Sequence, residues 1–137
     1  MAVNLDRFKK DLAELAERGM LLRFSMILET LGKDALKQSV GSIKPDAFEI
    51  LVKKLPYFKT NYEKWYSECL VLIRQIIPDM IAVFTKQYEK MKNRKALSYE
   101  SYVIEDYMIG LKAKRGDEVI VDASAAIPKL IVQTSIL

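Results

Sequence analysis

Glu105, Asp106 and Tyr107 stand side by side in the chain, Asp117 is followed by Glu118, and there is one cysteine, Cys69. These residues have the types that could exchange protons, hold a cation or attack an electrophile. Neighbours on a helix project about 100° apart, so Glu105 and Asp106 would not converge on one substrate atom unless the fold re-aims them. Asp117 and Glu118 follow Gly116 at a turn, and both pairs read as solvated charge. Histidine is the usual general base near neutral pH, the partner of most serine and cysteine nucleophiles, and the commonest zinc ligand. The chain contains none. With a single cysteine besides, a metal site would have to rest on carboxylates, which suit magnesium-like ions better than zinc. The reading is a protein that is not an enzyme and has no catalytic, cofactor-binding or metal-binding residues.

The cations and aromatic rings offer binding chemistry instead. Lys92, Arg94 and Lys95 form one basic cluster and Lys112, Lys114 and Arg115 another, flanking a tyrosine-bearing segment in a chain of net charge +4. If that segment is one continuous helix, the clusters lie about 25 to 30 Å apart at the helical rise, a span suited to phosphates on either side of a nucleic-acid groove. Basic residues in linkers and helix last turns are commonly just solvated. No glycine-rich phosphate loop or established nucleic-acid motif accompanies them. The stretch NYEKWYSECLVLIRQIIPD, residues 61 to 79, adds Tyr62, Trp65 and Tyr66, either a stacking platform or the inside of a helical domain.

These residues must be positioned by helices. In NLDRFKKDLAELAERGMLLRFSMILETLG, Leu5, Phe8, Leu12 and Leu15 recur at three- and four-residue spacing, with charge on the other side. Gly19 is a point where that helix kinks or breaks, and Gly32 ends it. KDALKQSVGSIKPDAFEILVKKLP reads as two short helices around GSIKP, with Pro45 opening the second and Pro56 stopping it. From about Lys59 to Ile77, Tyr62, Trp65, Tyr66, Cys69 and Ile73 fall on one side of a helix, so the rings continue a core stripe and Cys69 is a small buried side chain. DMIAVFTKQYEKM and SYESYVIEDYMIGLKAK read as two further helices, the latter capped by Ser98. DEVIVD is the only strand-like run, alone or in a hairpin with KAK before it. SAAIPKLIVQTSIL closes the sequence as a helix capped by Ser124, with Pro128 in its first turn.

With 137 residues, 50% apolar and 29% charged, the chain is long enough to bury a core. The expected fold is mainly α, a compact multi-helix bundle with at most one short strand or hairpin near the C-terminus. It divides into one helical domain over residues 1–122 and a C-terminal helix over 123–137. No apolar run reaches the roughly 18 residues of a membrane span, and MAVNLDRFKKD lacks a signal-peptide core, so a cytoplasmic protein without membrane contact is expected. The last helix is apolar and carries no cap, which leaves carbonyls and side chains to be covered. Ile131, Val132, Ile136 and Leu137 are its candidate interface residues, against a partner protein or a second copy, unless they fold back on their own core.

The blocks FKTNYEKWYSECLVLIRQIIPD, LSYESYVIEDYMIGL and EVIVDASAAIPKLIVQ resemble the N-terminal helical region of bacterial proteins that carry a C-terminal domain of the HEPN type. HEPN domains are helical and are associated with RNA cleavage in toxin and phage-defence systems. The likeness spans roughly residues 55 to 133 and rests on aromatic and apolar spacing. A HEPN active site uses an arginine followed by a histidine, so no catalytic residue carries over to this histidine-free chain. The resemblance implies a non-catalytic module, an excised domain or a short version acting as inhibitor or decoy, in bacterial or phage defence or counter-defence. Nucleic-acid binding through residues 92–95 and 112–115 is the alternative.

Overall fold

The computed structural model describes residues 5–92, 94, 97–111, 113–115 and 118–137. The fold is mainly α with one short hairpin, as expected, and separates into two compact units, Met1–Pro78 with Leu137, and Asp79–Ile136. The division therefore falls after Pro78, whereas the sequence reading placed its boundary after residue 122.

The first unit is built on two long helices, α1 (Leu5–Leu31) and α4 (Phe58–Ile76). They run antiparallel: Ser25 Oγ donates to the Pro56 carbonyl just before α4 (2.7 Å), and farther along Trp65 Nε1 donates to the Leu15 carbonyl (2.8 Å). α1 passes through Gly19 without interruption. A mid-helix glycine costs about 1 kcal/mol relative to alanine, and that is small beside the burial of Leu15, Leu22, Phe24, Met26 and Ile27 on either side of it. Gly32, at φ 92°, does end the helix. Past it, α2 (Lys33–Val40) lays Leu36 into the core, and Pro45 opens α3 (Pro45–Lys54), which contributes Phe48.

The ring cluster of α4 is core. Phe58, Tyr62 and Trp65 have no exposed surface. Tyr62 lies at the centre, stacked on Phe58 at 5.0 Å between centroids and tilted against Trp65 and Tyr66 at 5.8 and 5.9 Å. Burying one such ring is worth about 1.5–3 kcal/mol. That excludes a stacking platform for a ligand, because no ring face is open to one.

The second unit uses shorter pieces. After a 3₁₀ turn at Pro78–Met80 come α5 (Ile81–Lys86), α6 (Ile104–Met108), a hairpin of β1 (Ala113–Arg115) and β2 (Glu118–Val121), a 3₁₀ turn at Ala123–Ala125, and α7 (Ala126–Ile136). The strands are antiparallel, pairing Lys114 with Val119 and Arg115 with Glu118, with a bulge between Ala113 and Lys114. α7 packs on α5 and α6.

Two expected helices are much shorter than the sequence suggested. The one expected over 79–91 stops at Lys86, because the carbonyls of Gln87 and Tyr88 accept the N–H groups of Ile104 (3.0 Å) and Glu105 (3.1 Å). The one expected over 98–114 is only Ile104–Met108. Ser98 and Ser101 bond each other's backbone, Ser101 N to Ser98 Oγ at 3.2 Å and Ser98 N to Ser101 Oγ at 2.9 Å. This is the local competition that keeps serine out of helix interiors. Val103 is extended, and Gly110, at φ 71°, closes the far end. The cap before α7 is likewise not Ser124: the Asp122 carboxylate accepts the Ser124 N–H at 2.9 Å, and the Ser124 hydroxyl donates to it as well.

Candidate interaction surface

The residues with acid–base character are parted by the fold. Asp106 has no exposed surface. Its carboxylate takes the Arg94 guanidinium in fork geometry, Nη1 to Oδ2 at 2.5 Å and Nη2 to Oδ1 at 3.0 Å, and also accepts the Val103 N–H at 2.9 Å. Arg94 Nη1 reaches the Ser101 carbonyl at 3.3 Å. The reading of Asp106 as solvated charge is thus corrected: it starts α6 and ties the preceding loop to it. Bonding to Asp106 raises the Arg94 guanidinium above its usual range. Glu105, next in the chain, instead accepts the Lys90 N–H at 3.3 Å, and Tyr107 is buried. Glu105 and Asp106 thus engage separate partners, and among the described residues no group of three or more histidine, cysteine, aspartate or glutamate side chains is placed to hold a metal.

The buried nucleophile is equally withdrawn. Burial pushes the Cys69 thiol up to about 12, Arg18 opposing and Glu68 adding to the rise. Cys69 is a core side chain. Burial, with the negative charges of Asp106 and Asp122, moves the Tyr102 phenol up to about 12, and its hydroxyl donates to the Leu111 carbonyl at 2.7 Å.

The basic clusters are not displayed along one helix. Arg94 is spent on Asp106, with its side chain 16% exposed, while Lys92 is exposed. Lys114 and Arg115 lie on β1. Lys95 and Lys112 lie outside the described residues. Because residues 97–111 between the clusters form a turn, a five-residue helix and a further turn, the 25 to 30 Å spacing expected of a continuous helix does not apply.

α7 buries Ala126, Leu130 and Gln133, and Gln133 Nε2 donates to the Phe84 carbonyl at 3.0 Å. Its opposite side presents Pro128, Ile131 and Ser135, with Ile131 45% exposed. Val132, Ile136 and Leu137 are half-buried. The helix has one charged residue, Lys129, whose ammonium donates to the Glu100 carbonyl at 2.9 Å. Tyr99 and Ile109, in the same unit, are also exposed.

One feature of the first unit had no counterpart in the sequence reading. Between the end of α1 and the chain leaving α3 lies an open groove of about 280 Å³, walled by Leu28, Val52, Leu55 and Pro56, with Glu29 and Tyr57 among its lining residues. The only available signal was Tyr57, an aromatic residue directly after the proline that stops α3.

Compared with protein-family models, curated proteins and solved structures, the chain shows no significant match. Among the described residues, no helix is long and apolar enough to cross a membrane.

Proposed function

We propose that this protein is a non-catalytic helical module that works by protein–protein contact, with self-association through the outer side of α7 as its primary mode. The observation that carries this reading is the uncharged outer row Pro128, Ile131 and Ser135 on a helix whose inner side packs on α5 and α6. Exposed surface helices normally carry charge on the side away from the core, and an apolar side chain left in water there is a cost that association removes. A second copy offers the same row and so can be self-complementary about a two-fold axis. A setting in bacterial or phage defence or counter-defence is supported by the resemblance to HEPN-associated regions alone, and a cytoplasmic location by composition.

Nucleic-acid binding draws less support, because Arg94 is engaged by a buried carboxylate and the proposed helical spacing of the clusters is lost. Light scattering at high micromolar concentration tests the favoured reading. The expected result is an association that Ile131→Glu removes; a monomer at every concentration would end it.

A further inference from the structure

Glu29, an exposed acidic residue, lines the groove beside α3. Glu29 and Lys33 are four residues apart, the spacing at which opposite charges on one helix pair. The chain turns at Gly32, however, and Lys33 is given to Glu49 instead, at 3.2 Å. Glu29 has no ion pair or hydrogen bond from its side chain among the described residues. Ser25, the other polar side chain lining the groove besides Tyr57, already donates to the Pro56 carbonyl. The groove therefore offers three things to an occupant: aliphatic walls, one uncompensated negative charge, and the Tyr57 ring, 61% exposed.

Size and charge narrow the occupant. About 280 Å³ is at the lower edge of the roughly 300–1,000 Å³ typical of small-molecule and cofactor sites, and it suits one anchoring side chain of a partner protein. Glu29 is exposed, so an apolar anchor that covered it would desolvate its carboxylate without pairing it, which is unfavourable. A basic side chain with an aliphatic stem meets both demands, the stem along Leu28, Val52 and Leu55 and the head on Glu29. Arginine fits better than lysine, because its planar guanidinium can pair a carboxylate through two bonds and lie against an aromatic face. We propose that this groove is a docking site for an arginine side chain presented by a partner protein. It rests on the reading of the chain as an interaction module but uses a different unit from α7, so the two can fail separately.

The test is an NMR titration of the ¹⁵N-labelled full chain with a short glycine- and serine-flanked peptide carrying one arginine, against the same peptide with citrulline, which keeps the stem and loses the charge. The expected result is shifts concentrated at Leu28, Glu29, Val52 and Tyr57. Affinity should drop ~10-fold or more with citrulline or in Glu29→Gln, the scale of one charge-assisted hydrogen bond, and should weaken with added salt. Tyr57→Leu should weaken arginine binding while leaving the fold intact, since the ring is largely in solvent. Equal binding of both peptides, full affinity in Glu29→Gln, or no shift at these residues would each overturn the proposal. None of these outcomes bears on self-association through Ile131.

Discussion

The two units reach order by different means. In Met1–Pro78, helices of 27 and 19 residues meet along a row of rings and aliphatic side chains, and the polar contacts between its elements include Trp65 to the Leu15 carbonyl, Ser25 to the Pro56 carbonyl, and the part-exposed ion pairs Arg18–Glu68 and Lys33–Glu49. In Asp79–Ile136 the helices have six, five and eleven residues. Isolated helices shorter than about 12–15 residues are marginal in water, so these pieces depend on cross-links: Arg94 with Asp106, Gln133 with Phe84, Tyr102 with Leu111, and the backbone bonds from Ile104 and Glu105 to Gln87 and Tyr88. Apolar area tolerates inexact placement, whereas a buried charge pair does not. The first unit should therefore lose stability in proportion to the area removed, and the second through the loss of single polar atoms.

That contrast can be broken by paired substitutions. Trp65→Ala removes the largest fully buried side chain and its bond to Leu15, and should cost about 3–5 kcal/mol in urea denaturation, with hydrogen exchange rising most in α1 and α4. Asp106→Asn is isosteric and removes almost no area, yet it should cost about 3 kcal/mol, the low end for breaking a buried pair, because Arg94 keeps 16% exposure and can turn partly to water. Its exchange increase should centre on Val103 to Tyr107. If Asp106→Asn were nearly neutral, polar cross-linking would not be what holds the second unit. Gly32→Ala meets no atom within 4 Å, so its effect is backbone conformation alone. A cost of about 1–3 kcal/mol is expected there.

Alkaline pH probes one group in each unit. Cys69 and Tyr102 both have folded values raised to about 12, from ordinary values of 9.0 and 10.0. The folded state thus holds these protons more tightly than the unfolded chain does. Their contribution is complete below the ordinary values and is lost as pH climbs toward about 12. Tm should fall across that window, beginning with Cys69. In Cys69→Ala the early part of the fall should disappear; an unchanged curve would show that the thiol titrates alike in both states.

The same contrast explains what could be read from sequence. Tyr62, Trp65, Cys69 and Ile73 recur with the helical period, and the period alone placed α4 to within a residue at each end. Gly32, Pro45 and Pro56 marked boundaries through their own backbone chemistry. Tyr99, Tyr102, Val103, Tyr107 and Leu111 recur with the same period, but there it misled, because Ser98, Ser101 and Asp106 bind nearby backbone and interrupt the helix. Arg94 and Asp106 are twelve residues apart and only tertiary structure brings them together. The groove at Glu29 was hidden for a similar reason: the four-residue spacing to Lys33 promises a pair that the turn at Gly32 dissolves.

Self-association of this protein depends on whether the outer row of α7 is a contact surface. Sedimentation equilibrium of the full chain and of Ile131→Glu, an exposed position where charge should leave folding untouched, measures this directly. The natural sequence should show a monomer–dimer equilibrium at high micromolar concentration, and the variant should be a monomer of the same Tm. A natural chain that stays monomeric throughout, or a variant that associates just as strongly, would contradict that expectation.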